Sequence, residues 1–231
     1  SSSAASDVYK RQDYSYGREA DGTGDFKILA PATPNNSNNT STPSEGVISD
    51  IPSFSLAAGF YTETQNLTLT TTVLGANIRY TTDGSKPSDT SSLYTDPISI
   101  TSTTVVRAMI DLDNYISDKI ETNTYIIGED DNPSKIGVIS VSGNPDDFFD
   151  YNTGIYELGP NAEYAEPRKG ANFWQDWEKE IHIEYFDEND DEQLEQDCGV
   201  KIFGGWSRAQ DMKSLRLIAR DEYGDKTFCL L

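Results

Sequence analysis

The chain has 231 residues, room for one large or two small domains. Its 18 basic and 39 acidic residues leave a net charge of −21 and an isoelectric point near 4.2. That balance excludes the clustered Lys and Arg that nucleic-acid binding needs and disfavours anionic membranes. Mean hydropathy is −0.59, and no apolar run approaches the roughly 18 residues of a membrane-spanning helix.

Two cysteines, Cys198 and Cys229, are too few for a disulfide scaffold or a Cys-rich zinc site. The one histidine, His182, cannot alone make a His-based metal site. No spacing supports a triad between it and Ser207. It reads as a strand residue in the alternating run Ile181 to Phe186.

Residues 1–12 are Ser-rich, foreign in composition to the rest of the chain, and similar to a translated sequencing-adapter remnant; 229–231 read the same way. Both ends are set aside from the fold. The chain thus reads as an internal piece of a longer protein, so the lack of a secretion signal carries no weight.

Residues 13–38 are rich in Gly, Asp, Pro and Asn and predict loops with one short strand, Phe26 to Leu29. Gly17, Arg18, Asp21, Gly22, Thr33, Pro34 and Asn38 resemble the closing segment of a bacterial lamin-tail domain. Such a piece cannot bury a core alone. Residues 39–50 read as a linker by composition.

Residues 51–127 predict an all-β module. Leu67–Thr70, Asn77–Thr81, Pro97–Thr101, Thr104–Ile110 and Thr122–Ile127 carry the strand patterns. Gly75-Ala76, Asp83-Gly84 and Asp113-Asn114 supply the turns, and this spacing argues for a sandwich. The likeness to the chitobiase/β-hexosaminidase C-terminal domain family rests on Phe54, Gly59, Tyr61, Leu67, Leu69, Gly75, the run Ile78–Pro87, Tyr94, Pro97, Ile98, Arg107 and Ala108. The resemblance implies an Ig-like, non-catalytic accessory. Tyr80, Tyr94 and Tyr115 offer either stacking faces for a carbohydrate or core packing, the bulk of what aromatics do in a small sandwich. Asp83 reads as a turn former, since no second carboxylate pairs with it.

Residues 128–135 form an acidic linker. Beyond it, Ile136–Val141 is an apolar strand, Asn144 caps a turn with Pro145 at its first position, and Gly154–Tyr156 predicts another short strand. The acidic stretch Asp187–Glu192 fails the EF-hand pattern, with Glu192 at the position of the glycine and Cys198 at that of the glutamate. It reads as a solvated hairpin tip guarding a sheet edge.

Ile136–Val141, Asp146 with Phe149–Tyr156, Ala171–Phe173, Trp177-Glu178, Ile183–Asp187, Gly199–Arg208 and Lys213–Leu217 follow one another along 136–228. Together they resemble the N-terminal part of the spore-coat kinase family CotH. The resemblance implies an atypical protein kinase that moves phosphate from ATP, with a divalent metal, onto secreted or spore-surface proteins. A glycine turn lets backbone N–H groups approach phosphate oxygens, and a lysine on the next strand neutralises charge. Gly204, Gly205, Ser207, Arg208 and Lys213 fit that role. The same residues equally fit a tight bend with a solvent-facing lysine. No Walker motif is present. In this family the metal-holding acids and the base lie further downstream, so no kinase activity is expected of these 231 residues alone.

The expected fold is mainly β: an Ig-like β-sandwich, then a truncated β-rich (α+β) kinase-like N-terminal region. The expected parent is a secreted or surface-exposed bacterial CotH-like protein acting on a secreted or surface protein substrate. A non-catalytic adhesion or spore-coat protein, and a set of carbohydrate-binding accessory modules, are the alternatives.

Overall fold

The computed structural model describes residues 14–21, 23–33, 35–128 and 136–228. The two ends, most of the acidic linker, and Gly22 and Pro34 of the lamin-tail-like segment lie outside the described residues. The architecture is mainly β, in several sheets.

The first sheet is an antiparallel meander of β1 (Ser15–Ala20), β2 (Thr23–Ala30) and β3 (Thr42–Ser44). The sequence predicts only one strand before residue 38. β1 escapes because its exposure does not alternate cleanly; its pairing rests on the ladder to β2 and a Tyr16–Phe26 stack at 5.5 Å. The segment read as a linker, 39–50, carries β3 and β4 (Gly46–Ile48). Its polar composition hides a strand docked by backbone bonds and by Ser44, which donates to the carbonyls of Gly46 and Asn114.

The sandwich comes next, with β5 (Ser53–Phe54), β6 (Gly59–Tyr61), β7 (Gln65–Leu67), β8 (Leu69–Thr70), β9 (Asn77–Thr81), β10 (Ser92–Leu93), β11 (Ile98–Ile100), β12 (Thr104–Asp111), β13 (Tyr115–Ser117) and β14 (Glu121–Ile127). Five strands form one sheet in the order β10-β9-β12-β14-β6; β11-β7, β5-β8 and β13-β4 are small pairs. The predicted strand Leu67–Thr70 is split between β7 and β8, which pair with different partners. Leu67, Leu69, Ile78, Ile100, Val106, Ala108 and Tyr125 are the buried core. Period-two alternation sends Val106 and Ala108 into it and turns Val105 and Arg107 to the sheet's other face.

The second domain is a four-stranded antiparallel sheet, β15 (Val138–Gly143), β16 (Lys179–Phe186), β17 (Glu192–Phe203) and β18 (Ser214–Ile218), in that order. A single helical turn, α1 (Pro145–Phe149), is capped by Asn144 as its sequence predicts. Ile181, Ile183, Cys198, Val200 and Ile202 bury one face of the sheet against Ile155, Ala171 and Phe173. Gly154–Tyr156 forms no strand. Asp150 accepts from the N–H groups of Asn152 and Thr153 and from the Thr153 hydroxyl. The chain therefore folds back so that the N–H groups of Ile155 and Tyr156 reach the carbonyls of Asp147 and Phe148.

Candidate functional site

The glycine turn lies between β17 and β18. Gly204 has φ +117, a conformation that disfavours side chains, and a Cβ there would stand 2.4 Å from the Ser207 hydroxyl. A Cβ added at Gly205 would meet nothing within 4 Å beyond its chain neighbours. A short 3-10 turn, Trp206–Ala209, comes after it, and the exposed Ser207 hydroxyl makes no hydrogen bond among the described residues.

The structure brings both candidate cations to the residues 172–174 turn. Arg208 donates through Nε to the Gly204 carbonyl at 2.8 Å and through Nη1 to the Phe173 carbonyl at 3.3 Å. Lys213 Nζ donates to the Gln210 carbonyl at 2.8 Å and lies 4.3 Å from the Phe173 ring centre and 5.8 Å from that of Tyr156. Partial burial lowers the lysine pKa; Asp211 and Glu157 pull the other way from a distance. Lys213 precedes β18 rather than opening it. Neither cation has a carboxylate within ion-pair distance among the described residues. The turn can therefore offer two cationic groups, a hydroxyl and an open glycine backbone to an anion.

A second arrangement lies between the modules, and no sequence pattern points to it. The alternation of β16 puts Ile181 and Ile183 in the domain core and His182, Glu184 and Phe186 on the opposite face. The sandwich covers that polar face. Glu184, fully buried, accepts from the Thr124 backbone N–H at 2.8 Å and from the Thr124 hydroxyl. That hydroxyl also meets Ser140 Oγ at 2.7 Å. Phe60 and Phe186 pack edge to face at 5.7 Å, and Lys86 pairs with Glu180 at 3.1 Å.

Charge at this junction is unbalanced. Burial raises the Glu184 pKa, against the pull of its two bonds from Thr124. Burial first, then the neighbouring Glu195, pushes Glu121 to about 7. Burial with Glu184 and Glu195 does the same to Glu192, also to about 7. Facing the junction is Arg107, almost wholly buried and bonded to the Thr122 hydroxyl and the Gly84 carbonyl. Burial lowers its pKa, while Asp197, Glu180 and Glu184 hold it charged. His182 Nδ1 lies 2.9 Å from Asp197. Only the partner sheet makes these residues special, so nothing local announces them.

The aromatic candidates divide. Tyr80 and Tyr94 meet edge to face at 6.3 Å and pack on the sandwich core; Tyr115 is 44% exposed. Asp83 forms a turn, its Oδ1 accepting from the N–H and hydroxyl of Ser85 beside Gly84 at φ +83. In the acidic tip, Asp187 accepts from the N–H groups of Asn189 and Asp191. Among the described residues no group of three or more His, Cys, Asp or Glu is placed to hold a metal ion. No helix there is long and apolar enough to cross a membrane.

The family model of the chitobiase/beta-hexosaminidase C-terminal domain matches residues 56–120. No curated protein and no solved structure matches the chain. The matched residues run from just before β6 through β13 and stop just short of β14, the strand that supplies Thr124 and Tyr125. Residues 56–120 are thus similar to that domain family, and the similarity is confined to the sandwich.

Proposed function

We propose that this chain is part of a secreted, multi-domain bacterial CotH-like protein, and that its Gly204–Lys213 turn helps hold the phosphates of ATP in the parent. One observation carries the reading. In a chain of net charge −21, Arg208 and Lys213 stand at one glycine turn, with hydrogen bonds among the described residues to carbonyls alone. Backbone N–H groups at a glycine turn and nearby cations are what a phosphate needs. ATP would supply the phosphoryl group. The residues here bind and orient it: Lys213 and Arg208 neutralise charge, Ser207 donates, and Gly205 admits close approach. The expected divalent metal is assigned to no residue of this chain, and no step is routed through it.

A second reading is favoured by a different observation. The hydrogen-bonded junction at Glu184 and Thr124 makes the sandwich a docked spacer, as a non-catalytic surface or adhesion protein would use it.

Titration of inorganic pyrophosphate, followed by amide NMR shifts, separates the two. Shifts confined to residues 204–213 support the phosphate site. Shifts elsewhere, or none, leave the spacer reading. The chain itself is expected to phosphorylate no acceptor above background.

A further inference from the structure

The sandwich and the second domain flank an open cleft of about 540 Å³, within the range of about 300–1,000 Å³ usual for small-molecule sites. One wall is polar and comes from the sandwich: Thr82, Asp83 and Thr103. The other is aromatic and comes from α1 and the loop after it: Phe148, Phe149 and Tyr156. The three rings support one another, with centres 5.9, 6.2 and 6.0 Å apart. Phe149 is nevertheless 64% exposed. A ring fixed by two others and bare on a concave wall is a platform, not core.

The polar wall has unused capacity. Ser85 takes only Oδ1 of Asp83, leaving Oδ2 without a partner among the described residues. The Thr103 hydroxyl accepts from the Ile127 N–H and keeps its own proton to give. Thr82 makes no side-chain hydrogen bond among the described residues. A purely apolar ligand would strip water from these groups and return nothing. An acidic ligand would meet Asp83 and a chain of net charge −21. A basic peptide would find a single carboxylate to pair with.

We propose that this inter-module cleft binds a neutral oligosaccharide. A sugar ring lays its C–H face on Phe149, and its hydroxyls bond to Asp83 Oδ2, Thr82 and Thr103. The site needs both modules, and it moves sugar recognition away from Tyr80, Tyr94 and Tyr115. It is independent of the phosphate reading, because neither Arg208 nor Lys213 lines the cleft.

The test is calorimetric titration of the full chain with cellohexaose, N-acetylated chitohexaose and maltohexaose, with a polygalacturonate oligomer as the acidic control. At least one neutral hexasaccharide binds one to one. Phe149→Ala weakens it by about tenfold or more, and Asp83→Asn, which keeps a turn-forming side chain, weakens it several-fold. Tyr164→Ala, at an exposed ring outside the cleft, leaves affinity unchanged. Thermal melts confirm that each variant is folded. The proposal is overturned if no neutral sugar binds at about 1 mM, if the acidic oligomer binds more tightly, or if Phe149→Ala retains full affinity.

Discussion

The Glu184 carboxylate accepts from both the backbone N–H and the hydroxyl of Thr124, 60 residues earlier and in the other module. A carboxylate with no solvent exposure is tolerable only when such bonds replace its water. The pair therefore makes the docking of the two modules specific. Thr124→Val removes one of the two donors and leaves a buried oxygen short of a partner. It is expected to cost about 1–3 kcal/mol of stability by urea unfolding. Adding Glu184→Leu should recover part of that loss, since no stranded charge then remains.

The junction should also respond to pH. Glu121 and Glu192 are raised to about 7, and Glu184 is raised as well. A carboxyl raised on folding contributes most fully below its unfolded value and loses that contribution as pH climbs through the folded one. Thermal stability should therefore fall between about pH 4.5 and 7.5. Glu121→Gln with Glu192→Gln should flatten that slope. A melting temperature that rises through this window would show that the junction acids are not the controlling groups. Asp83, whose pKa is lowered chiefly by Ser85, acts in the opposite sense at lower pH.

Arg107 faces that acid group from the sheet face opposite the sandwich core. Arg107→Met removes the buried cation and leaves Glu180, Glu184 and Asp197 repelling one another. The expected cost at pH 8 is about 2–4 kcal/mol. It should shrink at pH 5, where Glu121 and Glu192, both raised to about 7, are protonated and the junction carries less negative charge, and paired urea titrations at the two pH values read the difference.

Much of the fold was legible because the strands announce themselves. The alternation in Ile181–Phe186 and Thr104–Ile110 gives β16 and β12, and the Asp83-Gly84 turn ends β9 where its side-chain chemistry predicts. Three misreadings have physical causes. Gly154–Tyr156 has strand composition, but Asp150 caps the chain into a turn. β3 and β4 are polar, and only their long-range pairing makes them strands. Leu67–Thr70 reads as one strand, whereas its two halves pair with different partners, β11 and β5. At the candidate site, sequence placed the glycine turn and its cations. It gave no sign that Phe173 and Tyr156 lie beneath Lys213, because those contacts cross 40 residues or more of chain.

The glycine turn has a stability test of its own. Gly204→Ala forces a Cβ into a left-handed conformation and against Ser207. It should cost about 1–3 kcal/mol, with part of the loss relieved by Ser207→Gly.

The phosphate role proposed for Lys213 is tested most directly by ATP affinity in the proposed CotH-like parent, measured by calorimetry for the native protein and for Lys213→Ala. The lysine has no carboxylate partner among the described residues, and losing its Gln210 bond and its contact with the Phe173 ring should lower the melting temperature by a few degrees at most. ATP binding should weaken by about tenfold, the worth of one charge-assisted contact. An unchanged ATP affinity in a well-folded Lys213→Ala protein would show that the turn holds no phosphate.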